Sequence, residues 1–148
     1  MQVRPARAED AEAIARSQRA MAWETERIRL DAATVAAGVR AVLDDPTRGR
    51  YWIAETDGQT VGVLLVTPEW SDWRNAWVWW IQSLYVLPAH RRTGVFGALY
   101  AHLRTLVEHD GTLAGIRLYV AADNLTARRA YEAMGMDGEH YRLFEWLK

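Results

Sequence analysis

Apolar positions early in the chain recur with helical spacing. Val3 and Arg4 read as a short strand stopped by Pro5. Ala11, Ile14, Ala15 and Met21, interrupted at Gln18, predict a helix from about Ala8 to Trp23, with Asp and Glu in its first turn where the helix dipole favours them. Glu24 to Leu30 is charged and aperiodic. Asp31 is a good N-cap for a second helix carrying Val35, Val39, Val42 and Leu43, which ends before Pro46.

The period then changes. Arg50 to Thr56 is strand-like, Asp57-Gly58 is a hairpin turn signal, and Thr60 to Thr67 is the return strand. Pro68 to Asn75 reads as a loop. Ala76 to Val86 is a long aromatic strand, apolar on both faces and so expected at the centre of a sheet. After Pro88, Val95, Leu99, Leu103 and Leu106 predict a helix to His109, closed by Gly111. A strand over Ile116–Val120, a short helix over Thr126–Met134 closed by Gly135, and a last strand over Tyr141–Trp146 complete the pattern. This order predicts an α/β (α+β) chain with a mixed sheet, helices on both faces, and a right-handed parallel crossover late in the chain.

Composition narrows the class. The 148 residues suit one domain over 1–148, and 18 basic against 19 acidic residues leave a net charge of −1. That balance argues against a nucleic-acid partner. The absence of cysteine excludes a disulfide scaffold and a thiol nucleophile, and fits a cytoplasmic location. Four scattered histidines show no metal spacing, so no metal is expected. No apolar run is long enough to span a membrane, and the opening residues lack the apolar core of a signal peptide. One count is unusual: 8 Trp against 2 Phe, with six of the eight between Trp52 and Trp80.

The candidate chemistry lies where the aromatic strand ends. Leu84-Tyr85-Val86-Leu87-Pro88 leads into a basic turn, Arg91-Arg92-Thr93-Gly94, and Gly94 and Gly97 open the next helix. Free amides at a helix start make an anion site, the glycines admit a ligand close to the backbone, and the arginines supply charge-assisted donors. No Gly-Lys-Ser/Thr follows, so this is not the ATP-binding P-loop. The stretch resembles motif A of the GNAT superfamily of acetyl-CoA-dependent N-acetyltransferases: Leu84, Val86, Pro88, Arg91 and Gly94 match. Phe96 stands where that pattern has Gly or Ala, which resembles a subgroup with a Gly-Val-Phe variant.

A second stretch is similar to the family's motif B, on Asn124, Ala127, Tyr131 and Gly135, with Met136 in place of Phe. Tyr131 lies seven residues after Asn124, two helical turns on and so on the same face. Read alone, Asn124 is a helix N-cap, Gly135 a C-cap and Tyr131 a core residue.

The resemblance covers nearly the whole chain and implies a GNAT-like sheet of about six to seven strands. It implies acetyl-CoA as co-substrate, bound by Leu84, Tyr85, Val86, Arg91, Arg92, Thr93, Gly94, Val95, Phe96, Gly97, Asn124, Ala127 and Tyr131. It also implies direct attack of a primary amine on the thioester, with Tyr131 protonating the departing thiolate. The proton acceptor is carried by no motif; Glu26 is the first choice and Glu24 the second. Trp23, Trp70, Asp72 and Trp73 are the expected acceptor-binding residues, since acidic groups beside indole rings suit a small cationic amine. The alternatives are a protein N-terminal or lysine acetyltransferase, and a non-catalytic acetyl-CoA-binding or interaction module. Trp52, Trp80 and Trp146 are assigned to the core. Trp77 and Trp79 are left between pocket and subunit contact, where an exposed tryptophan-rich edge would point to a homodimer.

Overall fold

Strands β1 (Gln2–Pro5), β2 (Arg50–Thr56), β3 (Gln59–Ser71), β4 (Ala76–Val86) and β5 (Leu113–Leu118) form one sheet in the order β1-β2-β3-β4-β5. The computed structural model describes residues 1–148. β1 pairs antiparallel with β2, β2 with β3, and β3 with β4. Four helices accompany the sheet: α1 (Ala11–Glu26), α2 (Ala32–Asp44), α3 (Val95–His109) and α4 (Leu125–Ala133). The chain falls into two compact units, Met1–Arg117 and Leu118–Lys148.

In the first unit the faces of the sheet follow strand alternation. Tyr51, Ile53 and Val63 pack with Ile14 of α1 and Val39 of α2. Ala54 and Gly62 point the other way, beneath α3. A Cβ on Gly62 would stand 2.7 Å from Val95 Cγ1 and 3.1 Å from Leu99 Cδ1, so α3 seats on the sheet where a side chain is missing. Val95, Leu99 and Leu103, at helical spacing, are the buried stripe of that helix. At the other edge Arg4 makes a bidentate pair with Asp10, at 2.8 and 2.9 Å, and its Nε donates to Glu55. This cluster ties β1 to β2 and to the chain entering α1.

Several expected elements hold. Asp31 caps α2 by accepting from the Thr34 amide at 2.8 Å. Asp57 and Gly58 both take positive φ, 51° and 74°, as a two-residue hairpin turn requires. β4 and α3 have the expected bounds.

Others differ. α1 runs on through Glu26, because its last turn is exposed and needs no apolar period. β3 continues to Ser71 through the expected loop: β2 pairs with β3 only as far as Val66, and beyond that edge the missing N–H of Pro68 is tolerated. β5 begins at Leu113, earlier than expected. The sheet has five strands rather than six to seven, and Tyr141–Trp146 forms none. That segment is apolar on both alternating faces, and its large side chains are exposed. Trp146, assigned to the core from sequence, is 88% exposed.

In the second unit, Asn124 Oδ1 accepts from the Ala127 amide at 3.1 Å and starts α4. Gly135, at φ 84°, closes it, with its amide on the Glu132 carbonyl.

Candidate active site

The basic turn grows directly out of β4. Leu84, Tyr85 and Val86 pair with Leu64, Val63 and Gly62 of β3, and the Leu87 amide bonds the Val61 carbonyl. One residue earlier the ladder slips: Leu65 pairs with Ser83 and Val66 with Ile81, so Gln82 bulges from β4. The bulge interrupts the alternation that would place Trp80, Gln82 and Leu84 on one face. The Trp77 amide bonds the Thr112 carbonyl, so β5 starts opposite the beginning of β4. Six residues long against eleven, β5 runs out before the Leu84–Val86 end.

Arg91 to Gly94 are all exposed. Arg92 takes φ 64° and Gly94 φ 89°, and the latter is the residue from which α3 departs. Helical bonding begins at the Ala98 amide on the Gly94 carbonyl. First-turn amides of a helix have no acceptor within it. A Cβ built on Gly94 or Gly97 meets nothing within 4 Å, so the turn is open to an incoming group. Val95 rather than Phe96 anchors the helix inward, since Val95 is fully buried and Phe96 half-buried. Thr93 Oγ1 donates to the His90 carbonyl at 2.7 Å.

Arg91 is already engaged. Its Nε donates to the Val86 carbonyl at 3.0 Å, its guanidinium lies 5.5 Å from the centre of the Tyr85 ring, and one terminal nitrogen meets Glu24 at 2.5 Å. The Tyr85 hydroxyl donates to the other Glu24 oxygen at 2.7 Å. These two donors, Tyr85 first and Arg91 second, hold the Glu24 carboxyl below the usual glutamate range. Burial, and then the Glu24 carboxylate, push the Tyr85 hydroxyl up. The sequence offered no sign of the Tyr85 side-chain role. Glu24 lies 61 residues away, and only the extension of α1 brings it to β4.

The other expected residues scatter. Glu26 is the exposed last residue of α1. Trp23 lines an open cavity of about 320 Å³ together with Arg19, Ile28, Arg29 and Leu30. Its ring is flanked by the guanidinium groups of Arg29 at 4.8 Å and Arg27 at 5.6 Å. Trp70 and Trp73 belong to the tip of the β3–β4 hairpin, where Trp70 packs edge-on against Trp77 with centroids 5.0 Å apart. Asp72 spends an oxygen on the Trp73 amide. Trp77 faces Trp70, and Tyr85 lies eight residues further along β4. At about 3.3 Å per residue the tip is therefore roughly 25 Å from Tyr85. Glu69 accepts from Trp80 Nε1 at 2.9 Å and from Arg117 at 3.0 Å, so it braces the sheet.

In the second unit Tyr131 is half-buried on α4, and burial raises its hydroxyl pKa. Asn124 uses its carbonyl oxygen as the cap and keeps its NH₂ as a donor. Ala127 lies one turn on. No group of three or more His, Cys, Asp or Glu is placed to hold a metal, and no helix is long and apolar enough to cross a membrane.

A strand ending in an open, basic, glycine-bearing helix start is an arrangement suited to an anionic group. The chain belongs to the acetyltransferase (GNAT) family, whose model matches residues 9–136. It is 34% identical over 98 residues to phosphinothricin N-acetyltransferase of Streptomyces viridochromogenes, a match that spans 63% of this chain and 52% of that protein. The chain thus aligns with about half the length of that relative. A possible acetyltransferase from Clostridium difficile 630 has a crystal structure that superposes with a TM-score of 0.94 at 35% identity, covering 99% of this chain and 97% of that one. An aminoglycoside N-acetyltransferase solved in complex with CoA shares the fold, with a TM-score of 0.78 at 17% identity over 99% of this chain and 93% of its own.

Proposed function

We propose that this chain is an acetyl-CoA-dependent N-acetyltransferase, a single domain over 1–148, that moves an acetyl group to a primary amine by direct attack. The observation that carries the reading is the turn Arg91–Gly97 in a chain of this family: exposed arginines beside a helix start with open space at Gly94 and Gly97. Those features fit the diphosphate of CoA. The Leu84–Val86 end of β4, left uncovered by β5, supports backbone bonds to the pantetheine arm. The motif resemblance assigns Asn124 and Ala127 to the same arm.

Acetyl-CoA supplies a thioester whose carbonyl accepts an amine. An alkylamine is protonated near neutral pH, so a carboxylate must relieve it of a proton. Glu26 is the first choice of proton acceptor, because Glu24 is already engaged by Tyr85 and Arg91. A β4 amide near Leu84–Val86 stabilises the developing oxyanion. The motif resemblance assigns protonation of the departing sulfur to Tyr131, whose hydroxyl pKa is raised by burial.

Glu24 and Glu26 support a cationic acceptor. Trp70, Asp72 and Trp73 lie too far along β4 to wall its reactive end, and the Trp23 ring is faced by arginines. A second reading has its own observation: the Arg19–Arg29 cavity beside Trp23 favours an acceptor that carries an acidic group as well as its amine. Calorimetry with acetyl-CoA, followed by thiol release across amines with and without an acid group, tests both. Binding at micromolar to low millimolar levels and turnover with an amine are expected. A folded protein that binds no acetyl-CoA at millimolar concentration overturns the reading.

A further inference from the structure

The Glu24–Tyr85–Arg91 cluster joins two parts of the chain that the acetyltransferase reading assigns to different substrates. Arg91 belongs to the diphosphate-binding turn, and Glu24 to the end of α1 on the acceptor side. They form an ion pair at 2.5 Å, with both side chains part-exposed at 44% and 36%. The guanidinium is anchored on its inner edge by the Val86 carbonyl. The carboxylate is anchored independently, through its other oxygen, by the buried Tyr85 hydroxyl.

The arrangement has a consequence for charge. One guanidinium carries a single positive charge. Neutralised by Glu24 it attracts a diphosphate weakly, and drawn to a diphosphate it releases Glu24. Because Tyr85 holds the carboxylate from the other side, Glu24 stays in place when Arg91 leaves. Its Oε2 then loses the cation bonded to it, Arg27 being left only as a nearby charge, and is open to another donor on the acceptor side of β4. An ammonium group is the natural replacement.

We propose that the Arg91–Glu24 pair is a latch between the two substrates: CoA opens it by taking Arg91, and the freed Glu24, held by Tyr85, receives the ammonium of the acceptor. The inference rests on the acetyltransferase reading above. Glu24 is then a positioning residue for the amine, and cofactor occupancy raises acceptor affinity through an exchange of counter-ions.

The test is calorimetric titration of CoA, without acceptor, into the wild type, Glu24→Gln, Arg91→Met and the double variant, each checked for folding by thermal scan. Removing the competing carboxylate should tighten CoA about three- to fivefold at low salt, the size of a part-exposed ion pair, with the gain shrinking at high salt. In the Arg91→Met background, Glu24→Gln should change nothing. Tyr85→Phe should loosen Glu24 and tighten CoA by a smaller factor. A variant that merely damaged the site would bind CoA less well, so the sign of the change is decisive. Equal or weaker binding by Glu24→Gln, or the same gain with Met at position 91, overturns the latch and leaves the acetyltransferase reading standing. A folded wild type that does not bind CoA removes both.

Discussion

The two ends of β4 are both aromatic and otherwise unlike. At its start Trp77 packs on Trp70 across the hairpin, and Trp73 at the tip is 90% exposed. At its other end Tyr85 is 7% exposed and bonded to Glu24, which in turn holds Arg91. The first end has several rings, and its charged residues, Asp72 and Arg74, bond locally to the Trp73 amide and the Ser71 hydroxyl. The second has one ring, two opposite charges and an open helix start. At the hairpin tip aromatic density therefore marks surface, and the proposed site lies at the end where polar groups from distant segments meet.

The contrast would be broken most strongly if the residues matched by family motifs were inert. Tyr131→Phe is expected to lower kcat by about 10²–10⁴, the usual contribution of a general acid. Unchanged kcat in steady-state assays, together with loss of turnover on substitution at the tryptophan tip, would reverse the assignment.

A second variant lies away from both ends and calibrates stability. Asp10→Asn breaks the part-buried pair with Arg4, which keeps Glu55, and should cost about 1–3 kcal/mol in urea unfolding at neutral pH. Hydrogen bonds from Arg4 hold the Asp10 carboxyl below the ordinary aspartate range. A carboxyl depressed in the folded state stabilises the protein above its unfolded pKa, and that stabilisation is lost as pH falls through the folded value. The difference between wild type and Asp10→Asn should therefore narrow as pH drops below the ordinary aspartate range. A constant difference down to low pH would contradict this.

Gly94→Val sharpens the comparison at the Val86 end. At φ 89° a branched side chain is strained and would fill the open turn, so CoA affinity should fall about tenfold or more by calorimetry. The smallest effect belongs to the tip. Trp73→Ala should leave the acceptor KM unchanged and alter stability by less than about 0.5 kcal/mol, as for other exposed positions. A large rise in acceptor KM would restore the tip to the acceptor pocket.

The architecture was largely legible because its punctuation is local. Pro88, Gly94 and Gly111 bracket β4 and α3, and Asp57-Gly58 and Asp31 perform the turn and cap their chemistry suggests. What escaped was set by neighbours. Pro68 looks like a strand stop until β2 is seen to end at Val66. The last turn of α1 carries no apolar period because its contacts are polar ones, Glu24 with Tyr85 and Arg91, and its side chains are largely exposed. Trp146, apolar and alternating, reads as core although it is exposed. The same limit applies to the site. The Arg91 turn is contiguous in sequence and so could be proposed from it, whereas the contacts of Glu24 with Tyr85 and Arg91 depend on two segments meeting. Sequence also grouped Trp23 with Trp70 and Trp73 by composition, a likeness that carries no information about distance.

Gly62 has a bearing on how such a protein could be tuned. The height of α3 above the sheet is set by one absent methyl group, and the turn proposed to take the diphosphate leads into the first residues of that helix. A methyl placed there would act as a shim, tilting the mouth of the turn from beneath. Grip on the cofactor could thus be adjusted from a residue that never touches it, by carpentry rather than by chemistry.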